Sequence, residues 1–226
     1  TTTPPVNSIS TDKILNDAVT GAKIENNPTI AGNLTVSGNT DLNGNLDVDG
    51  GTIKLDGNYP TGTDNVALGD NALSGASLSG SSNTAIGSNA ADVITSGSYN
   101  TALGGSALGN TTTGSFNTAL GRSSLLLNTT GASNTSVGDS SMYSNTTGSN
   151  NTALGYQALE LNTTGASNVA VGLQALENNT TASNNTAVGF RALEANTTGA
   201  NNFAGGIQAL DANTTGSENI GIGSNA

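Results

Sequence analysis

The chain has 226 residues, a net charge of −11 and only five lysines and arginines. This balance argues against nucleic-acid binding, which needs clustered basic residues, and the absence of His and Cys removes the usual nucleophile–base pairs of enzymes. No run of about 18 apolar residues occurs, so we expect no membrane insertion. We therefore expect a non-enzymatic protein that needs no cofactor and no metal.

Residues 1–29 contain an imperfect repeat, in which Asp12-Lys13-Ile14 is followed ten residues later by Ala22-Lys23-Ile24. Their apolar side chains would fit one face of a short helix, whereas the surrounding Thr, Asn and Gly favour an extended chain. We favour an extended, intertwined segment and leave the helix open as the alternative.

Residues 30–57 follow a period of six residues, with a Gly-Asn or Gly-Gly turn in each repeat. The aliphatic residues of this period are Ile30, Val36, Leu42 and Val48. Because such short strands cannot form a domain alone, we predict that three chains wind into a triple β-helical shaft. A single-chain left-handed β-helix is the alternative. Residues 58–64 break the period and are predicted to form a joint.

Residues 65–226 consist of a 17-residue repeat that starts with Asn-Thr-Ala-Leu-Gly or a near copy. Nine copies, from Asn83 to Asn219, follow one another without a slip, and a further copy at Asn65 lies one residue out of phase. A fixed short period is typical of a solenoid. The last coil stops at Ala226, and we expect it to be truncated. The repeat-defining residues are Asn83, Gly87, Asn100, Gly104, Asn117, Gly121, Asn134, Gly138, Asn151, Gly155, Asn168, Gly172, Asn185 and Gly189.

Each copy has two short apolar runs, separated by the Gly and followed by a turn such as Asn-Thr-Thr-Gly. This pattern favours strands over helix. The Gly column predicts corners with positive φ, and aligned Asn side chains can hydrogen-bond in a ladder. We therefore predict an all-β fold, a parallel β-roll or β-solenoid in which each coil has two strands of about five residues and rises about 4.8 Å.

A single coil has only about two large apolar side chains, too few to enclose a sizeable core. We therefore predict a homotrimer whose chains share a core. The residues predicted to form this interchain or coil core are Leu103, Leu120, Val137, Leu154, Val171, Val188, Leu159, Leu176, Leu193 and Leu210.

Two columns of the repeat are candidates for surface recognition. One is acidic and holds Glu160, Glu177, Glu194 and Asp211. It is either a site for a cation or a basic receptor or a solvated edge, and we favour the solvated edge because stacked like charges need screening by water. The other column follows the Gly and holds Tyr156, Leu173, Phe190 and Ile207. This apolar stripe is either part of a trimer core or an adhesive surface.

Thr pairs such as Thr163-Thr164 form a further column. β-branched Thr suits an exposed strand or turn edge, and an ice-binding array of Thr side chains is the less favoured interpretation. The Asn-Thr-Thr triplets also match the N-glycosylation acceptor, although the repeat itself explains their recurrence.

The pentapeptide copies, continued as Tyr156-Gln157-Ala158-Leu159 and Asn162-Thr163-Thr164-Gly165, resemble the head repeats of trimeric autotransporter adhesins of the YadA type. The likeness covers the Asn, the small-aliphatic pair and the Gly over residues 65–223, whereas the coil is longer than is usual in that family. The resemblance implies a left-handed parallel β-roll with three chains to a head, which binds host-surface or matrix components.

The front segment, with Ala18-Val19-Thr20-Gly21-Ala22-Lys23-Ile24 and Thr29-Ile30-Ala31-Gly32-Asn33, is similar to tail-fibre and appendage proteins of phages. In those proteins similar rolls lie along trimeric fibres. The combination favours a virion fibre segment, with other virion or fibre proteins and a host receptor as partners. A bacterial trimeric adhesin head at the cell surface is the alternative.

Overall fold

The computed structural model describes residues 63–75 and 78–226. The predicted extended segment, the shaft and all but the last two residues of the joint lie outside the described residues. Within these ranges the chain forms ten strands of three residues each and no helix. The strands are β1 (Val66–Leu68), β2 (Thr84–Ile86), β3 (Thr101–Leu103), β4 (Thr118–Leu120), β5 (Thr135–Val137), β6 (Thr152–Leu154), β7 (Val169–Val171), β8 (Thr186–Val188), β9 (Phe203–Gly205) and β10 (Ile220–Ile222).

All ten strands form one parallel sheet, in which the spatial order is the chain order. We number the coils from coil 1, which begins at Asn65, to coil 10, which begins at Asn219, and the positions of a coil from 1, at this Asn, to 17. Coil 1 has one extra residue, so its end is numbered back from Asn83, which makes Ser82 its position 17. Each strand residue pairs with its counterpart in the next coil, as Ala153 does with Ala170. This register confirms the predicted parallel β-solenoid with 17-residue coils.

The strand residues alternate between the interior and the surface. Ala153 at position 3 is buried, whereas Thr152 and Leu154 on either side of it point outward. The chain returns to the interior at positions 8 and 9, where Ala158 and Leu159 are buried completely. One narrow coil is therefore filled by its own small and aliphatic side chains, contrary to the expectation that a single coil cannot enclose its core.

The second apolar run of each coil is not a strand, contrary to prediction. It forms tight turns in which Gln157 and Leu159 have φ values of 55° and 53°, while Ala158 between them does not have a positive φ. Its N–H groups bond in both directions along the stack: that of Gln157 donates to Asp139 O (3.1 Å), and that of Leu159 donates to Ala175 O (3.0 Å). A two-residue apolar run does not distinguish a strand from such a turn.

Two columns of asparagines run through the interior, at positions 1 and 12. At position 1, the Asn168 side chain donates to Asn151 Oδ1 (3.2 Å) and to Ala182 O (2.8 Å). At position 12, Asn162 Nδ2 donates to Asn145 Oδ1 (2.7 Å). The predicted amide ladder is therefore confirmed at position 1, and position 12 holds a second ladder.

The Gly at position 5 occupies a corner of the coil in which no other residue would fit. At Gly104, φ is 137°, and a Cβ atom would lie 2.5 Å from Gly121 O and 2.6 Å from the Gly121 carbonyl carbon. An L-residue is strained in this conformation, and the backbone of the next coil leaves no room for its side chain. The predicted glycine corner with positive φ is confirmed.

Candidate interaction surfaces

The interior of the coils is filled, so a ligand or partner of this part of the chain must bind to the outer surface. Among the residues that the structure describes, no three His, Cys, Asp or Glu side chains are grouped to hold a metal ion. No helix in the described ranges is long and apolar enough to cross a membrane. The candidate surfaces are therefore the side-chain columns that face outward.

The aliphatic residues predicted for the core divide into two groups. Those at position 9 lie inside the coil: Leu159, Leu176 and Leu193 are buried and Leu210 is half-buried. Those at position 4 lie on the outer face of the sheet: Leu103, Leu120, Leu154 and Val188 are 38–44% exposed, and Val137 and Val171 are half-buried. Only a contact with another molecule would bury the second group.

Position 2 contributes a second outward column to the same sheet face. Most coils have Thr there, and the hydroxyls of Thr101 and Thr118 make no hydrogen bond within the described part of the chain. In coil 9 the column holds Phe203, whose ring lies over Gly205: a Cβ atom at Gly205 would be 3.4 Å from Phe203 Cε1. A Cβ atom there would make an ordinary van der Waals contact with the ring, and nothing in the structure explains why position 4 is Gly in this coil.

The side chains of the variable column, at position 6, are exposed, as those of a recognition surface must be. Tyr156 is 49% exposed and Phe190 is 42% exposed. The Arg191 guanidinium lies 5.6 Å from the centroid of the Phe190 ring and 3.0 Å from the Glu194 carboxylate. The apolar column therefore borders the acidic column at position 10.

The carboxylates of the acidic column, Glu160, Glu177, Glu194 and Asp211, are half-buried. Burial is the main cause that raises the pKa of Glu177, and the charges of Glu194 and Glu160 raise it further. A hydrogen bond from Gln174 and the charge of Arg191 act in the opposite direction. The column is thus a partly desolvated edge whose negative charges repel one another along the stack.

The Thr pairs are not equivalent. The first hydroxyl of a pair bonds within the stack, as Thr163 Oγ1 does when it donates to Thr180 O (3.0 Å). The second side chain, Thr164, is exposed. Only one of the two Thr columns is therefore free to order water, which weakens the ice-binding interpretation.

One surface feature was not identified from the sequence. Tyr99 and Phe116, both at position 17, are stacked with ring centroids 5.1 Å apart and planes inclined by 6°. They are 59% and 60% exposed. The available signal was their 17-residue separation at a position where the other coils from coil 1 to coil 9 have Ser, Asn or Glu.

The described coils thus present an aliphatic and Thr-bearing sheet face, a variable apolar column beside an acidic edge, and one aromatic pair. These surfaces are built on a rigid scaffold, because every coil is hydrogen-bonded to its neighbours through backbone and side-chain amides. No family model, curated protein or solved structure matches this chain.

Proposed function

We propose that this chain is a non-enzymatic segment of a homotrimeric fibre, which extends the fibre and presents a recognition surface. The observation that carries the proposal is the exposed aliphatic column at position 4, on coils whose interior is already filled. A continuous apolar stripe is uncommon on the surface of a monomer and is typical of an interaction site. Three chains packed side by side around an axis would bury this stripe in each of them.

The solenoid suits mechanical extension. Each coil contacts only its neighbours, so the length of such a protein grows with the number of coils, by about 4.8 Å per coil. The outward columns can vary without disturbing the interior, as position 6 does from Arg122 to Tyr156. Such a scaffold holds recognition residues at fixed distances from one another.

We place the fibre on a virion, as a phage tail or capsid fibre, on the strength of the resemblance of the front segment. Its partners would then be other fibre proteins and a receptor on the host surface. The alternative is the head of a bacterial trimeric adhesin, which would use the same coils at the cell surface. The gene regions that flank this stretch distinguish the two: a baseplate-attachment segment indicates a phage, and a membrane-anchor segment indicates an adhesin.

Sedimentation equilibrium tests the trimer. We expect the wild-type chain to have three times the mass of one 22.1 kDa chain. The variant Leu103→Thr/Leu120→Thr/Leu154→Thr should dissociate at concentrations at which the wild type is trimeric, because it removes the aliphatic column. Leu161→Thr is the matched control, since Leu161 is 42% exposed but lies outside the strands.

Circular dichroism of both variants should match the wild type, because the substituted side chains point away from the interior. A wild-type chain that stays monomeric at every concentration would overturn the trimer. A trimer that persists in the triple variant would mean that the copies meet through a different surface.

A further inference from the structure

The aromatic pair at position 17 holds two bulky side chains in an unfavourable backbone conformation. Tyr99 has a φ of 59° and Phe116 a φ of 61°, in the left-handed region that large side chains rarely adopt. The fold imposes this conformation on position 17 in every coil from coil 1 to coil 9, where φ is 59–62°, but the other coils place Ser, Asn or Glu there. Here the enforcing contacts include backbone hydrogen bonds to the preceding coil, from Tyr99 N to Ser81 O and from Phe116 N to Ser98 O, both 3.0 Å.

Burial does not offset this strain as it does at position 9. Leu108 and Leu125 at position 9 have similar φ values of 52° and 55°, but both are buried completely. The hydrophobic effect therefore compensates for their conformation. Tyr99 and Phe116 are more than half exposed. The only contacts that offset their strain are those of the two rings with each other and with the neighbouring coils. Stability of the fold alone does not account for the pair.

The outer faces of the two rings are accessible. Coils stack directly on one another, so the neighbours of the pair along column 17 are Ser82 and Ser133, whose side chains are too small to cover a ring. The hydroxyls of both serines make no hydrogen bond among the described residues. The pair is therefore flanked by hydroxyl groups that have no partner in this part of the chain.

The size and the charge of this site identify the class of ligand. Two rings of this exposure present on the order of 200–300 Å², whereas a protein partner needs about 800 Å² on each side. Coil 3, which spans 100–116, has no charged residue, and the chain carries a net charge of −11, which disfavours an anionic ligand. A sugar ring combines a C–H face, attracted to the negative face of an aromatic ring, with hydroxyls that can hydrogen-bond to those of the two serines.

We propose that Tyr99 and Phe116, with the hydroxyls of Ser82 and Ser133, bind a neutral polysaccharide. This inference rests on the proposed function, because it names the chemistry that a surface-presenting fibre would recognise. A sugar ring would stack on the outer face of Tyr99 or of Phe116, since the two inner faces cover each other.

The test uses the full chain on an array of immobilised neutral glucans, mannans and galactans, beside sulfated forms of the same polymers. We expect the wild type to bind at least one neutral polymer, and to bind its sulfated form more weakly. Tyr99→Ser/Phe116→Ser should bind about tenfold more weakly. This variant should fold, because Ser occupies position 17 in three other coils: Ser82, Ser133 and Ser167. Leu161→Ser, which removes an exposed apolar side chain outside the candidate recognition columns, should bind like the wild type.

Two results would overturn the proposal: a wild type that binds no neutral polymer on the array, or a double variant that binds as well as the wild type. Sedimentation equilibrium of the same samples separates this failure from failure of the fibre. A wild type that is trimeric but does not bind neutral polysaccharides refutes the sugar site alone. A monomer that binds them through the aromatic pair refutes the trimer alone. A double variant that loses the trimer but still binds would show that the pair is a contact between copies.

Discussion

Single buried asparagines hold the coils in register. An amide side chain carries both a donor and an acceptor, so a column of identical amides can bond continuously only if each copy lies directly above the last. Asn162 illustrates this, since it donates to Asn145 Oδ1 and accepts from Asn179 Nδ2 (2.8 Å). A slip of one residue would leave these polar groups buried without partners, which is costly. The ladders therefore specify the register as well as stabilise it.

Substitution of one ladder member should be destabilising. Asn162→Ala leaves the Oδ1 of Asn145 without its donor, and we expect a loss of about 1–3 kcal/mol in the free energy of unfolding. Urea denaturation followed by circular dichroism measures it. The control is Asn178→Ala, a half-buried side chain without hydrogen bonds in the described part, for which a change within about 0.5 kcal/mol is expected. Equal losses in the two variants would contradict the role of the ladder.

The acidic column gives the stability a pH dependence. The pKa of Glu177 is raised in the folded state, so the folded chain holds this proton more tightly than the unfolded chain does. The resulting stabilisation is present below the ordinary pKa of 4.5 and is lost as the pH rises through the folded value. We expect Glu177→Gln to be more stable than the wild type at neutral pH, with a difference that disappears in acid. The urea midpoint as a function of pH measures this.

Glu218→Gln is the control for net charge, because Glu218 is exposed at position 17 and lies outside the acidic column. It removes the same charge without relieving the column. If both variants gained equal stability at neutral pH, the effect would come from the net charge of the chain and not from the stacked carboxylates.

At the scale of the element, each coil is one short strand and a series of tight turns. The strand ends at position 4 because the Gly at position 5 turns the chain with a φ that β-strand residues do not adopt. The turn residues at positions 7 and 9 then direct Leu into the interior. The element is thus fixed by backbone conformation as much as by side-chain packing.

Substitution of the two adjacent glycines of coil 3 tests whether backbone conformation fixes the corner of the coil. Gly104→Ala places a Cβ against the carbonyl of Gly121 at a φ of 137°, and we expect a loss of at least about 2 kcal/mol in unfolding free energy. Gly105→Ala meets nothing nearer than Ser88 O at 3.9 Å and should be neutral or slightly stabilising. Thermal denaturation of the two variants measures the difference. Similar melting temperatures would show that the corner tolerates a side chain.

At the scale of the whole molecule, the described coils form a stack in which interactions are made between nearest neighbours. The stability of such an array is roughly a sum over coils and their interfaces. The length of the stack is therefore adjustable in steps of one coil, provided that the register of both ladders is kept.

Deletion of whole and partial coils tests this modularity. Removing residues 151–167 joins Asn150 to Asn168 and keeps the register, so this variant should fold into a stack shorter by about 4.8 Å. Removing residues 151–159 offsets every later strand and ladder, and this variant should lose its cooperative thermal transition. Small-angle scattering and circular dichroism measure length and fold. If the variant that lacks one whole coil failed to fold, this would contradict the prediction that the coils are independent units of the stack.

The sequence by itself determined the features that depend on local chemistry repeated at a fixed spacing. The 17-residue period predicted the solenoid, the invariant Gly predicted a corner with positive φ, and the Asn column predicted the amide ladder of Asn151 and Asn168. Each follows because one residue type, placed directly above its own copy, has only one favourable arrangement.

Only the tertiary structure decided which apolar residues face inward. Leu154 and Leu159 are equally hydrophobic, but closure of the coil places Leu159 inside and Leu154 on the surface. The stacking of Tyr99 on Phe116 was likewise decided by the fold. The physical reason is that the direction of a side chain depends on the φ values of the turns that close each coil, and two-residue apolar runs carry too little periodicity to specify them.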